Sequence, residues 1–159
     1  TRALLTVTAD NASREYGLAN PTFTGTISGL RAGDTASVVS GLVYGTAATA
    51  ASNVGTFAIT ASGGSAANYD FAYVPGTLTI TKALLTVTAD NASREYGLAN
   101  PTFTGSIAGF RNSDTDSVIS GLVYGSVADI TSNAGTYAIT GSGGDNIIRP
   151  TINQSKNSL

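Results

Sequence analysis

The most polar stretch of the chain, Asp10-Asn11-Ala12-Ser13-Arg14-Glu15, is the first candidate for chemistry, and it returns unchanged from Asp90 to Glu95. As a ligand-contact loop, Asp10, Arg14 and Glu15 (with Asp90, Arg94 and Glu95) suit hydrogen bonding to sugars or carboxylates, because a planar guanidinium offers paired donors. As architecture, the same residues form an Asx-type turn between strands, with Arg14 and Glu15 solvated. The turn is the preferred reading. Asn11-Ala12-Ser13, Asn91-Ala92-Ser93 and Asn153-Gln154-Ser155 match the N-glycosylation triplet, a pattern that chance also produces often.

Other chemistry finds less support. The chain has no His and no Cys. That removes the commonest general base, the Ser-His relay, thiolate nucleophiles and Cys-ligated metals. Calcium needs several converging oxygens, yet Asp10, Asp34 and Asp70 stand isolated among small and apolar residues. Gly63-Gly64-Ser65 and Gly143-Gly144-Asp145 begin like a calcium-binding nonapeptide but do not continue as one. Lys82 and Lys156 are badly placed for an isopeptide bond within each domain. Tyr16, Tyr44, Tyr69 and Tyr73 could present a sugar-stacking platform, although their strand positions favour packing. The expectation is a protein that is not an enzyme, with no catalytic, cofactor-binding or metal-binding residue and no cofactor. A net charge of −2 and a pI near 4.8 give no footprint for nucleic acid. No apolar run is long enough for a membrane helix.

The elements that would position these residues are mainly strands. Leu5, Val7 and Ala9 alternate with Thr6 and Thr8, the period of a half-buried strand. The same period runs through Phe23, Gly25 and Ile27, through Phe57, Ile59 and Ala61, through Tyr69, Phe71 and Tyr73, and through Leu78 and Ile80. Leu42-Val43-Tyr44 marks a short further strand. Tyr16-Gly17, Asn20-Pro21, Gly63-Gly64 and Pro75-Gly76 read as turns. One segment, Asp34 to Gly41, reads as a short helix, with Asp34 placed to cap it and Gly41 at its C-terminal end.

A repeat organises all of this. The string from Ala3 to Gly25 begins again, letter for letter, at Ala83, an offset of 80 residues. That period is too long for a solenoid repeat and suits a small domain with its own core. Leu30, Val39 and Phe57 become Phe110, Ile119 and Tyr137, the apolar exchanges a core accepts. Ala32, Ala36 and Thr49 become Asn112, Asp116 and Asp129, which marks those positions as solvent-facing.

Tyr16-Gly17, Asn20-Pro21-Thr22-Phe23-Thr24-Gly25, Gly33-Asp34-Thr35, Gly55-Thr56-Phe57-Ala58-Ile59, Asn68-Tyr69 and Gly76-Thr77-Leu78-Thr79-Ile80 occur in that order. Together they resemble the YG-containing MBG repeat of bacterial surface proteins, across the whole first copy and the second up to about Gly144. The resemblance implies a β-grasp-like fold and tandem arrays in secreted or surface-anchored adhesins, including filamentous-haemagglutinin-like exoproteins. It transfers no catalytic residues.

The expected architecture is therefore mostly β (α+β, β-grasp-like), with an Ig-like β-sandwich as the alternative. Two tandem domains, 1–81 and 82–159, would each hold a twisted sheet and one short helix. Apolar residues fall on even numbers before Lys82 and on odd numbers after it; a continuous strand there predicts a stiff junction with offset cores. Thr1-Arg2 corresponds to Thr81-Lys82, as in a segment of a longer array. After Gly144 the copies diverge: either Ile147 to Ile152 supplies a substitute strand or the second domain keeps an exposed edge, with residues 153–159 as a loose tail. The expected function is a stalk or spacer in bacterial cell adhesion, outside the cell or on its surface. Its partners would be neighbouring repeats, with host-surface glycan or protein possible as well, and no nucleic acid or inserted membrane. The alternative is a glycan- or mucin-binding module that gains avidity from repetition.

Overall fold

The computed structural model describes residues 1–144 with their side chains and the backbone of residues 151–158. It divides into two compact units, Thr1–Thr81 and Lys82–Leu159. The fold is mostly β.

In the first unit the chain opens with β1 (Ala3–Ala9) and, after a break at Asp10-Asn11, β2 (Ala12–Glu15). Next come β3 (Gly25–Ser28), β4 (Ser40–Thr46) and the long β5 (Gly55–Ser65). It closes with β6 (Tyr69–Val74) and β7 (Gly76–Thr81), separated by Pro75, whose ring removes a ladder donor. Two sheets result, one ordered β3-β1-β6 and the other β2-β7-β5-β4. The two breaks fall side by side, so the first run of chain (β1, then β2) lies parallel to the last (β6, then β7) through both sheets.

The core lies between the sheets, where β5 touches both β1 and β6. Leu5 and Val7 from β1, Ile59 from β5, Tyr69 from β6, and Leu78 and Ile80 from β7 are buried there. Their alternation with exposed or half-buried Thr is the pattern a pleated strand imposes when one face is covered. Parallel pairing of the first and last runs agrees with a β-grasp-like reading. The covering layer does not: a second sheet stands where a helix was expected.

That helix is absent from the first unit. Asp34 to Gly41 gives one 3-10 turn, Ala36–Val38, and Ser40 and Gly41 already belong to β4. Thr35 makes no capping hydrogen bond to the backbone; its hydroxyl pairs with that of Ser37 at 2.7 Å. So short a segment, with adjacent β-branched valines, does not repay helix nucleation. Gly63-Gly64, expected as a turn, lies inside β5 with φ values of +72° and +80°. A Cβ on Gly63 would collide with the Gly41 carbonyl on the paired strand, so the two glycines let the chain pass a local distortion of the ladder without ending it.

The second unit is built from β8 (Leu84–Ala89), β9 (Gly105–Ala108), a 3-10 turn at Asp116–Val118, β10 (Val123–Ser126), β11 (Ala138–Ser142) and β12 (Thr151–Ser158). All five strands join one sheet, ordered β10-β11-β12-β8-β9. Here too the expected helix is one 3-10 turn. Residues 153–158, expected in a loose tail, lie in β12, which runs parallel to β8 and then antiparallel to β11. The backbone ladder on both sides holds that strand. The substitute strand thus begins at Thr151; residues 147–150, in the stretch expected to supply it, lie outside the described residues. At the boundary between the repeats, β7 ends at Thr81 and β8 begins at Leu84, so the strand is not continuous through Lys82-Ala83.

Candidate functional site

Arg14 sits on β2 with only 7% of its surface exposed. Its Nε donates to Asn20 Oδ1 at 2.7 Å, Nη1 to the Glu15 carbonyl at 3.1 Å and Nη2 to the Thr49 carbonyl at 2.5 Å. Asn20 in turn donates from Nδ2 to the Ala48 carbonyl at 2.7 Å. The strand places the guanidinium inward, and the turn after Tyr16 brings Asn20 back to receive it. Buried donors must find acceptors, and here they find backbone oxygens of a loop 35 residues away. The side chain is neither solvated nor turned toward a ligand. It is a clamp between the β2 end and the 48–49 loop.

The second copy repeats the clamp. Arg94 Nε donates to Asn100 Oδ1 at 2.7 Å, Nη1 to the Glu95 carbonyl at 3.3 Å and Nη2 to the Asp129 carbonyl. Asn100 Nδ2 reaches the Ala128 carbonyl at 2.6 Å. Because the acceptors are main-chain atoms, the change from Thr49 to Asp129 leaves the clamp intact. The Asp129 side chain forms its own turn, with Oδ1 accepting from the Thr131 hydroxyl at 2.7 Å and the Thr131 amide at 2.9 Å. Those bonds hold its carboxyl below the usual aspartate range.

The other singled-out residues do not converge on Arg14. Asp10 is exposed at the break between β1 and β2, its Oδ2 accepting from the Thr24 hydroxyl at 2.7 Å; Asp90 and Thr104 repeat this. Burial, and secondarily the Asp10 charge, raises the Tyr44 phenol; burial and Asp90 do the same to Tyr124. Both glutamates, Glu15 and Glu95, are exposed. Asn11 makes no local Asx turn its business: its Oδ1 accepts from the Thr77 amide at 2.7 Å, tying the break to the start of β7.

Nor do the tyrosines form a platform. Tyr16 and Tyr69 are buried. Tyr69 accepts at its hydroxyl from the Arg31 amide at 3.0 Å and donates to Asp34 Oδ2 at 2.7 Å. The bond to Asp34 is the main cause of a raised phenol pKa. Asp34, expected to cap a helix, thus anchors a turn to β6. Tyr73 stacks on Phe71 at 6.1 Å between ring centres.

Several hollows lie among the described residues, one of about 550 Å³ beside Arg31, Asp34 and Tyr69 of the first unit and others in the second. An open cleft of about 520 Å³ is lined by Gly105, Ile107, Phe110, Asp114, Ile119 and Tyr124, among others. A smaller groove of about 260 Å³ lies beside Arg94, Tyr96, Ala128 and Tyr137. The sequence did not point to this groove. It follows from the difference in strand pairing between the copies, which no residue type announces. Among the described residues, no group of three acidic, His or Cys side chains is placed to hold a metal ion.

Residues 5–79 and 85–158 each match the family model described as MBG domain (YGX type). The second match runs past Gly144, where the residue-by-residue likeness stops, to the end of β12. No curated protein and no solved structure gives a match.

Proposed function

The chain belongs to the MBG domain family of YGX type, and from that premise we propose that it is a non-catalytic tandem-repeat segment of a bacterial surface or secreted adhesin, acting as a stalk or spacer outside the cell. The observation that carries the proposal is the parallel pairing of the first and last strands. In the first unit, Ala3–Thr8 lie against Tyr69–Val74, and Ala12–Glu15 against Leu78–Thr81. In the second, Leu84–Thr88 lie against Thr151–Ser155. Tension applied where the chain enters and leaves a unit slides such strands past one another. The cross-strand hydrogen bonds are then loaded together in shear, and none opens alone at one end. Such loading resists extension, which suits a spacer held under flow.

The clamps point the same way. The guanidiniums best suited to a carboxylate or sugar are engaged with their own backbone in both copies. Neighbouring repeats of the same polypeptide are the partners this role requires.

A host-glycan array probed with the full chain tests the reading. A spacer is not retained on any glycan. Retention that disappears on Glu15→Gln and Glu95→Gln, at exposed positions of the repeated polar segment, would put the glycan- or mucin-binding alternative in its place.

A further inference from the structure

The first unit has four sheet edges, β3 and β6 in one sheet and β2 and β4 in the other. An edge strand presents unpaired amides and carbonyls to any strand that can lie beside it, and native proteins blunt such edges with charge, proline or shortness. Three of the four are blunted. β3 is only four residues long. β2 is as short, and its Glu15 is exposed. β6 carries Asp70, paired with Arg2 at 3.6 Å, and is stopped by Pro75. β4 is the exception: seven residues, Ser40–Thr46, with no charged residue and no proline. Its one paired neighbour among the described residues is β5, from Ser40 opposite Ser65 to Thr46 opposite Ile59.

The outer side of β4 is open. Val43 is 60% exposed, and a Cβ added to Gly41 or Gly45 would meet nothing within 4 Å. The strand lies in the middle of the first unit's chain, and every residue of that unit is described. It also reads nearly the same in both directions about Val43: Leu42 and Tyr44 flank it, then Gly41 and Gly45, then Ser40 and Thr46. Turned about a two-fold axis at Val43, such a strand meets itself in register. Leu42 of each copy falls opposite Tyr44 of the other, Gly41 opposite Gly45, and Val43 opposite its own counterpart. Opposed residues share a face of the ladder, so the half-buried Leu42 and Tyr44 cover one another and the exposed valines meet on the outer side.

We propose that β4 is a self-recognition edge, pairing antiparallel with β4 of a second copy of this chain. The contact is isologous, so it closes at two strands and joins the β2-β7-β5-β4 sheets of two copies into one. Gly41, with φ +71°, ends the regular edge on one side and keeps the ladder short. It falls far below the roughly 20–30 residues a side of a standard interface, so one contact is weak. The second unit carries the same string, Gly121 to Gly125, across its edge strand β10, with Val123 59% exposed. Where two such edges engage together, effective concentration strengthens the contact.

The test uses the full chain carrying Val123→Lys, which charges the second unit's edge and leaves β4 to pair. Sedimentation equilibrium and amide NMR over a concentration series into the millimolar range should show a reversible monomer–dimer equilibrium, with shifts centred on residues 41–45. Adding Val43→Lys should weaken the dimer by at least about tenfold, because two like charges then stand opposite each other across the axis. Val43→Glu should do the same, and neither change should move the urea midpoint of the first unit, since the position is exposed. Mixing the Val43→Lys and Val43→Glu chains should restore a dimer with one chain of each kind, which a merely misfolded variant would not form. The proposal is overturned by a chain that stays monomeric throughout the series, by a dimer that survives Val43→Lys, by shifts centred on another edge, or by a mixture that does not pair.

Discussion

Replacing Arg14 by Ala removes all three donors of the first clamp at once. Asn20 Oδ1 and the Glu15 and Thr49 carbonyls then lose a partner donor in a nearly closed site. A hydrogen bond to a charged group contributes about 1.5–3 kcal/mol, and the contributions in one network do not simply add. Loss of the buried side chain opens space as well. The expected destabilisation of the first unit is about 3–4 kcal/mol. Arg94 makes the same bonds but is half-exposed, so water can take its place, and Arg94→Ala should cost the second unit only about 1–2 kcal/mol. For units of this size the larger loss corresponds to a fall in Tm of roughly 12–30 °C. Urea unfolding followed by NMR, with Tyr69 reporting the first unit and Tyr124 the second, separates the two effects. Arg14→Lys should recover only part of the loss, since an ammonium cannot span three acceptors set for a planar fork. The reasoning is refuted if Arg14→Ala costs no more than Arg94→Ala, or if either falls within about 0.5 kcal/mol of the parent, the range of an ordinary surface change.

Other expectations follow from neighbouring contacts. A Cβ at Gly25 would stand 2.5 Å from a Tyr44 ring carbon, and one at Gly105 would stand 2.5 Å from a Tyr124 ring carbon. Gly25→Ala and Gly105→Ala should therefore each destabilise their unit by about 1–3 kcal/mol by overpacking, measured by denaturant midpoint. The folded phenols of Tyr44, Tyr69 and Tyr124 all titrate above their ordinary value. Their contribution is complete below about pH 10 and is lost as pH rises from there through the folded pKa, because the unfolded chain gives up its protons first. Tyr69→Phe should flatten the alkaline limb of the first unit, read from a pH series of urea midpoints. Asp129 has the opposite sign: its lowered pKa gives stability that is present above about pH 4 and is lost as pH falls through the folded value. Asp129→Asn should flatten the acid limb of the second unit in the same series.

Much of the framework was legible because apolar residues at period two can be buried only on one face. Leu5, Val7 and Ala9, and likewise Leu78 and Ile80, lie where that rule puts them. Pro75 ended β6 for the reason a proline must. The misreadings share a cause. Gly63-Gly64 looks like a turn locally but stays in β5, because the partner strand carries a complementary left-handed glycine at 41. Residues 12–15 looked like a loop because their polar side chains hid a strand whose partner, β7, lies more than sixty residues on. Arg14 looked like a surface charge because its acceptors are main-chain carbonyls, which no residue code displays. In the second unit, one strand, β12, serves both β8 and β11, a pairing choice that strand periodicity does not encode.

The spacer account rests on shear loading of parallel terminal strands, and pulling single molecules of the full chain by its two ends tests it most directly. The account predicts two separate unfolding events, each releasing roughly 200–250 Å of contour for units of this length. The event at higher force belongs to the first unit, whose parallel ladder extends through both β1–β6 and β2–β7, while that of the second is confined to β8–β12. Substituting Pro for Phe71, in the middle of β6, should lower the higher force and leave the other unchanged. A chain that lengthens smoothly at low force, or that gives way in a single event, would contradict the account.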